Sequence, residues 1–252
     1  MALRFETDGH LATLTIDSPE TGNALGRKLR DELTAAWLRV RDDPQIWVAV
    51  ITGAGGEAFA TAAEEDDGEP WRFWQTQEGP QLERGLELWK PVVAAVNGRC
   101  SGSGMALLFA TDIRVAAERA TFALDDVVQG RLPAGGVSQR LLQQLRYAQA
   151  LELLLTGEPI SAGEAYRAGL VNRVVPAERV LPAARELAER LCQNPPLTVR
   201  AIKELAVRGQ DLSLADALRL EQAVQRVNKQ TEDAKEGPRS FAERRPPRYS
   251  GR

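Results

Sequence analysis

Two stretches of this chain are apolar at almost every position, and each runs directly into glycine: Trp47 to Thr52 before Gly53, and Val92 to Val96 before Asn97-Gly98. A β-forming run with no polar face suits a strand buried in the interior. A glycine at its end marks a place where the backbone turns sharply or passes close to a neighbour. The chain must therefore cover these strands with other elements.

The covering elements are legible. Leu3–Thr7 and Leu11–Ile16, separated by Asp8-Gly9, read as a hairpin. Leu29, Leu33, Ala36, Trp37 and Val40 recur at helical spacing until Asp43-Pro44 stops the helix. From Gly102 a second helix is expected through Leu107-Leu108-Phe109, then a strand at Ile113–Ala116. Glu57 to Pro91 shows no clean period and is expected to be a mobile loop with a short helix. The second half reads as mostly helical, with capping boxes at Ser161-x-x-Glu164 and Ser213-x-x-Asp216 and a C-terminal stop at Gly169. Three apolar stripes fall there, on Leu181, Ala184, Leu187, Ala188 and Leu191, on Val199, Ile202, Leu205 and Ala206, and on Leu214, Ala217, Leu218, Val224 and Val227. Each is expected in the core or at a subunit contact. No fixed-period repeat is visible.

Composition excludes several function classes. The 252 residues carry 32 Lys and Arg against 35 Asp and Glu, a net charge of −3, so no electrostatic footprint for nucleic acid or an anionic membrane is present. The locally basic stretch Arg239 to Arg252 reads as a solvated tail. No apolar run approaches the roughly 18 residues of a membrane span, and no secretory leader is legible, so a cytoplasmic protein is expected. Cys100 and Cys192 show no metal-ligand spacing, and the single histidine, His10, excludes a His-rich metal site; no metal is expected.

Two strand-to-glycine junctions invite chemistry. Gly53-Ala54-Gly55-Gly56-Glu57-Ala58 loosely matches a dinucleotide fingerprint, which needs a helix starting at the glycines; a plain tight turn is the competing reading. Arg99-Cys100-Ser101-Gly102-Ser103-Gly104 places small residues where a strand passes into a helix, whose free N–H groups can hold a developing oxyanion. Asp112, Asp125 and Asp126 are the carboxylates that could work beside it, or could simply be solvated or cap a helix.

These residues, taken in order, resemble the enoyl-CoA hydratase/isomerase, or crotonase, superfamily. The resemblance rests on Ser18-Pro19-Glu20 with Asn23-Ala24-Leu25, Val50-Ile51-Thr52-Gly53 with Ala58-Phe59-Ala60, Lys90-Pro91-Val92 through Asn97-Gly98, and the glycine-rich turn. It continues through Asp112, Phe122, Gly130 to Pro133, Leu155-Thr156-Gly157, Gly169-Leu170-Val171 and Arg244-Arg245-Pro246-Pro247. It implies an α/β fold, a spiral of ββα units over residues 1–190 carrying an acyl-CoA site. Residues 191–252 would form a helical region that builds homotrimers or homohexamers and closes the CoA site. No cofactor is implied beyond the CoA of the substrate.

By position, the resemblance puts the two oxyanion-binding backbone N–H groups on Ala63 and Ser103. The two glutamates of the hydratases fall on Ala106 and Asp126, so one acid is missing and Asp126 is the expected acid/base, with Asp125 as a fallback. Ala24, Leu25, Ala60 and Ala62 are expected along the CoA and thioester, Ala106 at the reacting carbons, Trp71 and Trp74 over the acyl tail, and Phe241 near adenine. Three functions follow as alternatives: an isomerase or hydratase using Asp126, a lapsed acyl-CoA binding protein, or another enolate reaction such as decarboxylation or thioester hydrolysis.

Overall fold

The computed structural model describes residues 2–63 and 81–252. The hairpin forms as β1 (Leu3–Asp8) and β2 (Leu11–Ile16), turning at Gly9. Helix α1 (Arg27–Asp42) buries the predicted stripe of Leu29, Leu33, Ala36, Trp37 and Val40. Its C-terminus is closed by Lys90, whose Nζ donates to the carbonyls of Val40 and Asp43, both at 2.6 Å. Burial then lowers the Lys90 ammonium to a pKa of about 8.

Next come β3 (Val48–Gly53), β4 (Ala58–Ala60), β5 (Val92–Val96), β6 (Arg99–Ser101), α2 (Ser103–Phe109), β7 (Ile113–Ala117), β8 (Thr121–Ala123), α3 (Val137–Gln144) and α4 (Tyr147–Thr156). The chain continues through β9 (Ile160–Ser161), α5 (Ala162–Ala168), β10 (Arg173–Val175), α6 (Val180–Cys192), α7 (Pro196–Arg208), α8 (Leu214–Asn228) and α9 (Glu232–Ala242).

Two sheets result. The larger has the order β1-β2-β3-β5-β7-β10, parallel except for the β1–β2 hairpin; the smaller has the order β4-β6-β8-β9, with only β9 antiparallel. Each step β3 to β4, β5 to β6 and β7 to β8 carries the chain from the large sheet to the small one, and a helix follows β6 and β8. This is the spiral of ββα turns. Its turns begin at Leu11, Val48, Val92 and Ile113, so unequally spaced that the sequence shows no period.

Glycine makes the corners between sheets. A Cβ on Gly53 would stand 2.5 Å from the Ala58 and Phe59 carbonyl oxygens, and one on Gly98 would stand 2.3 Å from that of Glu57. Two asparagines pin the same corner. Asn23 Nδ2 donates to Ala54 O and Ala58 O, while Asn97 Oδ1 accepts from Gly53 N–H and its Nδ2 donates to Gly55 O and Ala58 O. The Gly53–Ala58 stretch therefore opens a strand, not a helix, and the dinucleotide reading falls.

Several expectations need correction. The segment from Glu57 to Pro91 contains β4 and a 3-10 turn at Leu82–Arg84, and Leu82, Leu86 and Leu88 are buried in the core. Asp112 holds the sheet together: its Oδ2 accepts from Val92 N–H and Lys203 Nζ, each at 2.7 Å. Ala184, Leu187 and Ala188 on α6 pack on the large sheet, whereas the stripes of α7 and α8 are only partly covered among the described residues, with Val199, Leu205, Ala217 and Val224 half-buried. There Ile202, Leu214, Leu218 and Val227 are exposed.

The basic tail keeps Arg239, Arg244, Arg248 and Arg252 exposed, as expected, but it is also tied down at several points. Asp233, buried, accepts from Ser250 N–H and Gly251 N–H, and Arg245 forks onto Glu236 and also reaches Glu243. Of the basic side chains that follow α9, Arg245 is the one these acids pair with among the described residues. Among the described residues no helix is long and apolar enough to cross a membrane.

Candidate active site

Helix α2 carries the site, and its placement follows from residues on either side. Gly102 precedes it with φ +52°, a left-handed conformation in which a Cβ would press to 2.7 Å of the Ala62 Cβ. Gly104 lies still closer to β4: a Cβ there would be 2.1 Å from the Ala60 carbonyl oxygen. The backbone of α2 thus rests on the segment Ala60–Ala63. Ser103 fastens the two, its Oγ donating to Thr61 O at 3.3 Å. Thr61 in turn bridges to Ala24, and its carbonyl accepts from Leu25 N–H at 2.9 Å.

The other end of α2 is held by Arg114, buried on β7. Its guanidinium donates to the carbonyls of Leu108, Thr111 and Leu170 and to Gln144 Oε1, at 2.8 to 3.1 Å. Burial lowers this guanidinium to a pKa of about 10, still charged at neutral pH.

Ala62, Ala63, Ser103, Ala106 and Asp126 line one cavity of about 400 Å³, together with Arg30, Gln81, Glu83, Arg84, Arg131, Leu132, Ala134 and Gly135. Among the described residues neither Ala63 N–H nor Ser103 N–H donates a hydrogen bond. Ser103 opens a helix, where a backbone N–H has no intrahelical acceptor and the dipole favours negative charge. Asp126 opens a 3-10 turn, its carbonyl accepting from Gln129 N–H at 3.0 Å and Arg131 N–H at 2.9 Å. Burial and the neighbouring Asp125 raise the Asp126 carboxyl above the ordinary range, with Arg131 opposing. Asp125 does not line the cavity.

Leu25 and Ala60 are buried in the core, so any ligand contact there runs through main chain. Phe241 projects from α9, 87% exposed, and does not line the cavity. Trp71 and Trp74 lie outside the described residues. A larger hollow of about 780 Å³ beside α7 holds, of the candidate acids, only Asp112 in its structural pairing.

One cavity residue escaped the sequence reading. Glu83, on the 3-10 turn before β5, reaches the cavity, and burial raises its carboxyl, with its own backbone N–H and then Arg84, Arg140 and Arg30 opposing. In the sequence it is one acid among Glu83, Arg84 and Glu87, with the look of a solvated turn. The only hint is its place between Leu82 and Leu86.

The cavity thus gathers two residues whose backbone amides donate no hydrogen bond among the described residues and a carboxyl whose pKa burial raises, groups of the kind that hold an oxyanion and move a proton. Comparison with known proteins places the chain in a family. The family model described as enoyl-CoA hydratase/isomerase matches residues 6–252. The (E)-benzylidenesuccinyl-CoA hydratase of Thauera aromatica is 37% identical over 255 residues, all of both chains. A carnitinyl-CoA dehydratase of Escherichia coli is 37% identical over 264 residues, covering 100% of this chain and 99% of the relative. Among solved structures, an enoyl-CoA hydratase/isomerase from Mycobacterium paratuberculosis superposes with a TM-score of 0.90 at 35% identity, covering 100% of this chain and 99% of that one. Match and superposition run the whole length, through both sheets and the helices that follow: the chain belongs to the enoyl-CoA hydratase/isomerase family.

Proposed function

We propose that this enzyme adds water across the double bond of an enoyl-CoA, or removes it in reverse, through a thioester enolate. The observation that carries this reading is the gathering of Ala63, Ser103 and Asp126 around one cavity. The backbone amides of Ala63 and Ser103 bind the thioester oxygen as charge grows on it, and Asp126 delivers or removes the proton at C2. Donors aimed at developing charge are worth roughly 3 to 4 kcal/mol each. Two full-length relatives, a hydratase and a dehydratase of CoA thioesters, favour hydration over isomerisation.

The reading calls for no metal or cofactor; CoA enters with the substrate. Residues 1–190 would hold the acyl-CoA site and 191–252 would oligomerise. The uncovered apolar residues of α7 and α8 support a homotrimer or homohexamer, with Phe241 closing on the adenine of a CoA. A cytoplasmic location fits a CoA substrate.

The test follows the conjugated thioester absorbance of 2-enoyl-CoA and 3-enoyl-CoA of several chain lengths. Saturable loss with a 2-enoyl-CoA, abolished in Asp126→Ala, is expected. Gain of conjugation from a 3-enoyl-CoA alone would show isomerisation, and saturable binding without turnover would show a lapsed acyl-CoA binding protein.

A further inference from the structure

Hydration needs two proton movements, one from water and one to C2, and Ala106 leaves only Asp126 of the family's acid pair. The cavity contains another carboxyl beside the vacated position. Gly135, with φ +69°, lies against both residues: a Cβ there would be 2.8 Å from Ala106 Cβ and 3.2 Å from Glu83 Cγ. The short Ala106 side chain and the stem of Glu83 therefore border one spot, from α2 on one side and from the Leu82–Arg84 turn on the other. A longer acid at position 106 would compete with Glu83 for that space and repel its charge. The Glu83 turn is also fastened in place: Arg140 on α3 donates from Nη1 to Glu83 O at 2.7 Å and to Gly135 O at 3.2 Å. Among the described residues the Glu83 carboxyl forms no ion pair within bonding distance, while Arg84, Arg140 and Arg30 stand near enough to favour its ionised form.

We propose that Glu83 is a second catalytic residue of this enzyme, supplying from a different segment the water-activating carboxylate that position 106 lacks. This rests on the hydratase reading above. In the forward direction the Glu83 carboxylate takes a proton from water as the water oxygen bonds to C3. The electron pair of the double bond moves to the thioester oxygen, held by Ala63 N–H and Ser103 N–H. As the enolate collapses, protonated Asp126 gives its proton to C2. Glu83 ends protonated and Asp126 ionised, and proton exchange with solvent resets the pair. Burial raises the Glu83 carboxyl above its ordinary value, which makes its ionised form a stronger base than an exposed glutamate.

The division of labour sets the test. Wild type and Glu83→Gln are compared for hydration of a 2-enoyl-CoA and for exchange of the C2 protons of a saturated acyl-CoA in deuterated water, which calls on Asp126 and the amides but not on activated water. Glu83→Gln is expected to lower kcat for hydration by about 10²-fold or more, to leave KM within about threefold, and still to exchange C2 protons. Hydration within threefold of wild type in the variant would overturn the assignment. So would parallel loss of hydration and exchange, which is what a merely structural role produces. Wild type that exchanges but does not hydrate would overturn the hydratase reading, and the role of Glu83 with it, while leaving the enolate site standing. Wild type that does neither would overturn the hydratase reading and this assignment together.

Discussion

Gly104→Ala sets two physical effects against each other. In an exposed helix the change is stabilising by about 1 kcal/mol, because alanine has the higher helix propensity. Here the new Cβ would stand 2.1 Å from the Ala60 carbonyl oxygen and 2.6 Å from the carbonyl carbon, both of them backbone. Neither atom can rotate away, so α2 and β4 must separate by about 1 Å to restore ordinary contact. Overpacking of this kind costs roughly 1–3 kcal/mol. The net loss of about 0–2 kcal/mol corresponds to a fall of up to roughly 8 °C in Tm for a chain this long.

The catalytic effect should be larger, because Ser103 N–H rides on α2 and Ala63 N–H on the segment after β4. Separating the two segments opens the oxyanion site, and a misplacement of about 1 Å can cost a hundredfold in rate. Thermal unfolding and enoyl-CoA hydration, measured on the same preparation, check both numbers. A Tm equal to or above wild type with kcat/KM within threefold would refute the claim that this close approach sets the site.

Other outcomes are expected on the same reasoning. Arg114→Met removes the donors to three carbonyls and Gln144, and leaves those acceptors buried without a partner; a loss of roughly 3–5 kcal/mol in urea unfolding is expected. Asp126→Asn should shift stability in a pH-dependent way. A carboxyl raised on folding contributes stability that is complete below its unfolded pKa and is lost as pH rises through the folded value. The variant lacks that loss, so its Tm relative to wild type should climb between pH 4 and pH 7.5, and a difference flat in pH would contradict the burial of Asp126. Ser103→Ala removes the bond from Oγ to Thr61 O but keeps the backbone N–H, so hydration should fall less than tenfold; a loss like that of Asp126→Ala would give the hydroxyl itself a chemical role.

Elements with strong local patterns were legible in the sequence. The stripe of α1, the apolar runs of β3 and β5, the Gly9 turn and the Ser161 capping box all appear where spacing and turn chemistry place them. The small sheet was not legible, because its strands are two or three residues long and exist only through pairing with one another: Ala58–Ala60 has no alternation to read until Arg99 and Cys100 lie beside it. The ties of the basic tail were not legible because their partners, Asp233 and Glu236, lie earlier, on α9, and meet it only where the chain folds back after that helix. In the site, the family motif led to Asp126, Ala63 and Ser103, whereas Glu83 belongs to no motif. It comes to line the same cavity as Ala106 only because the Leu82–Arg84 turn packs on α2, a tertiary fact with no periodicity behind it.

Formation of an enolate at Ala63, Ser103 and Asp126 is most directly read by mass spectrometry of a saturated acyl-CoA incubated with the enzyme in deuterated water. Enzyme-dependent incorporation of deuterium at C2, lost in Asp126→Asn while acyl-CoA binding is retained, is the predicted result. Tight binding with no incorporation in wild type, or incorporation equally fast in Asp126→Asn, would contradict it.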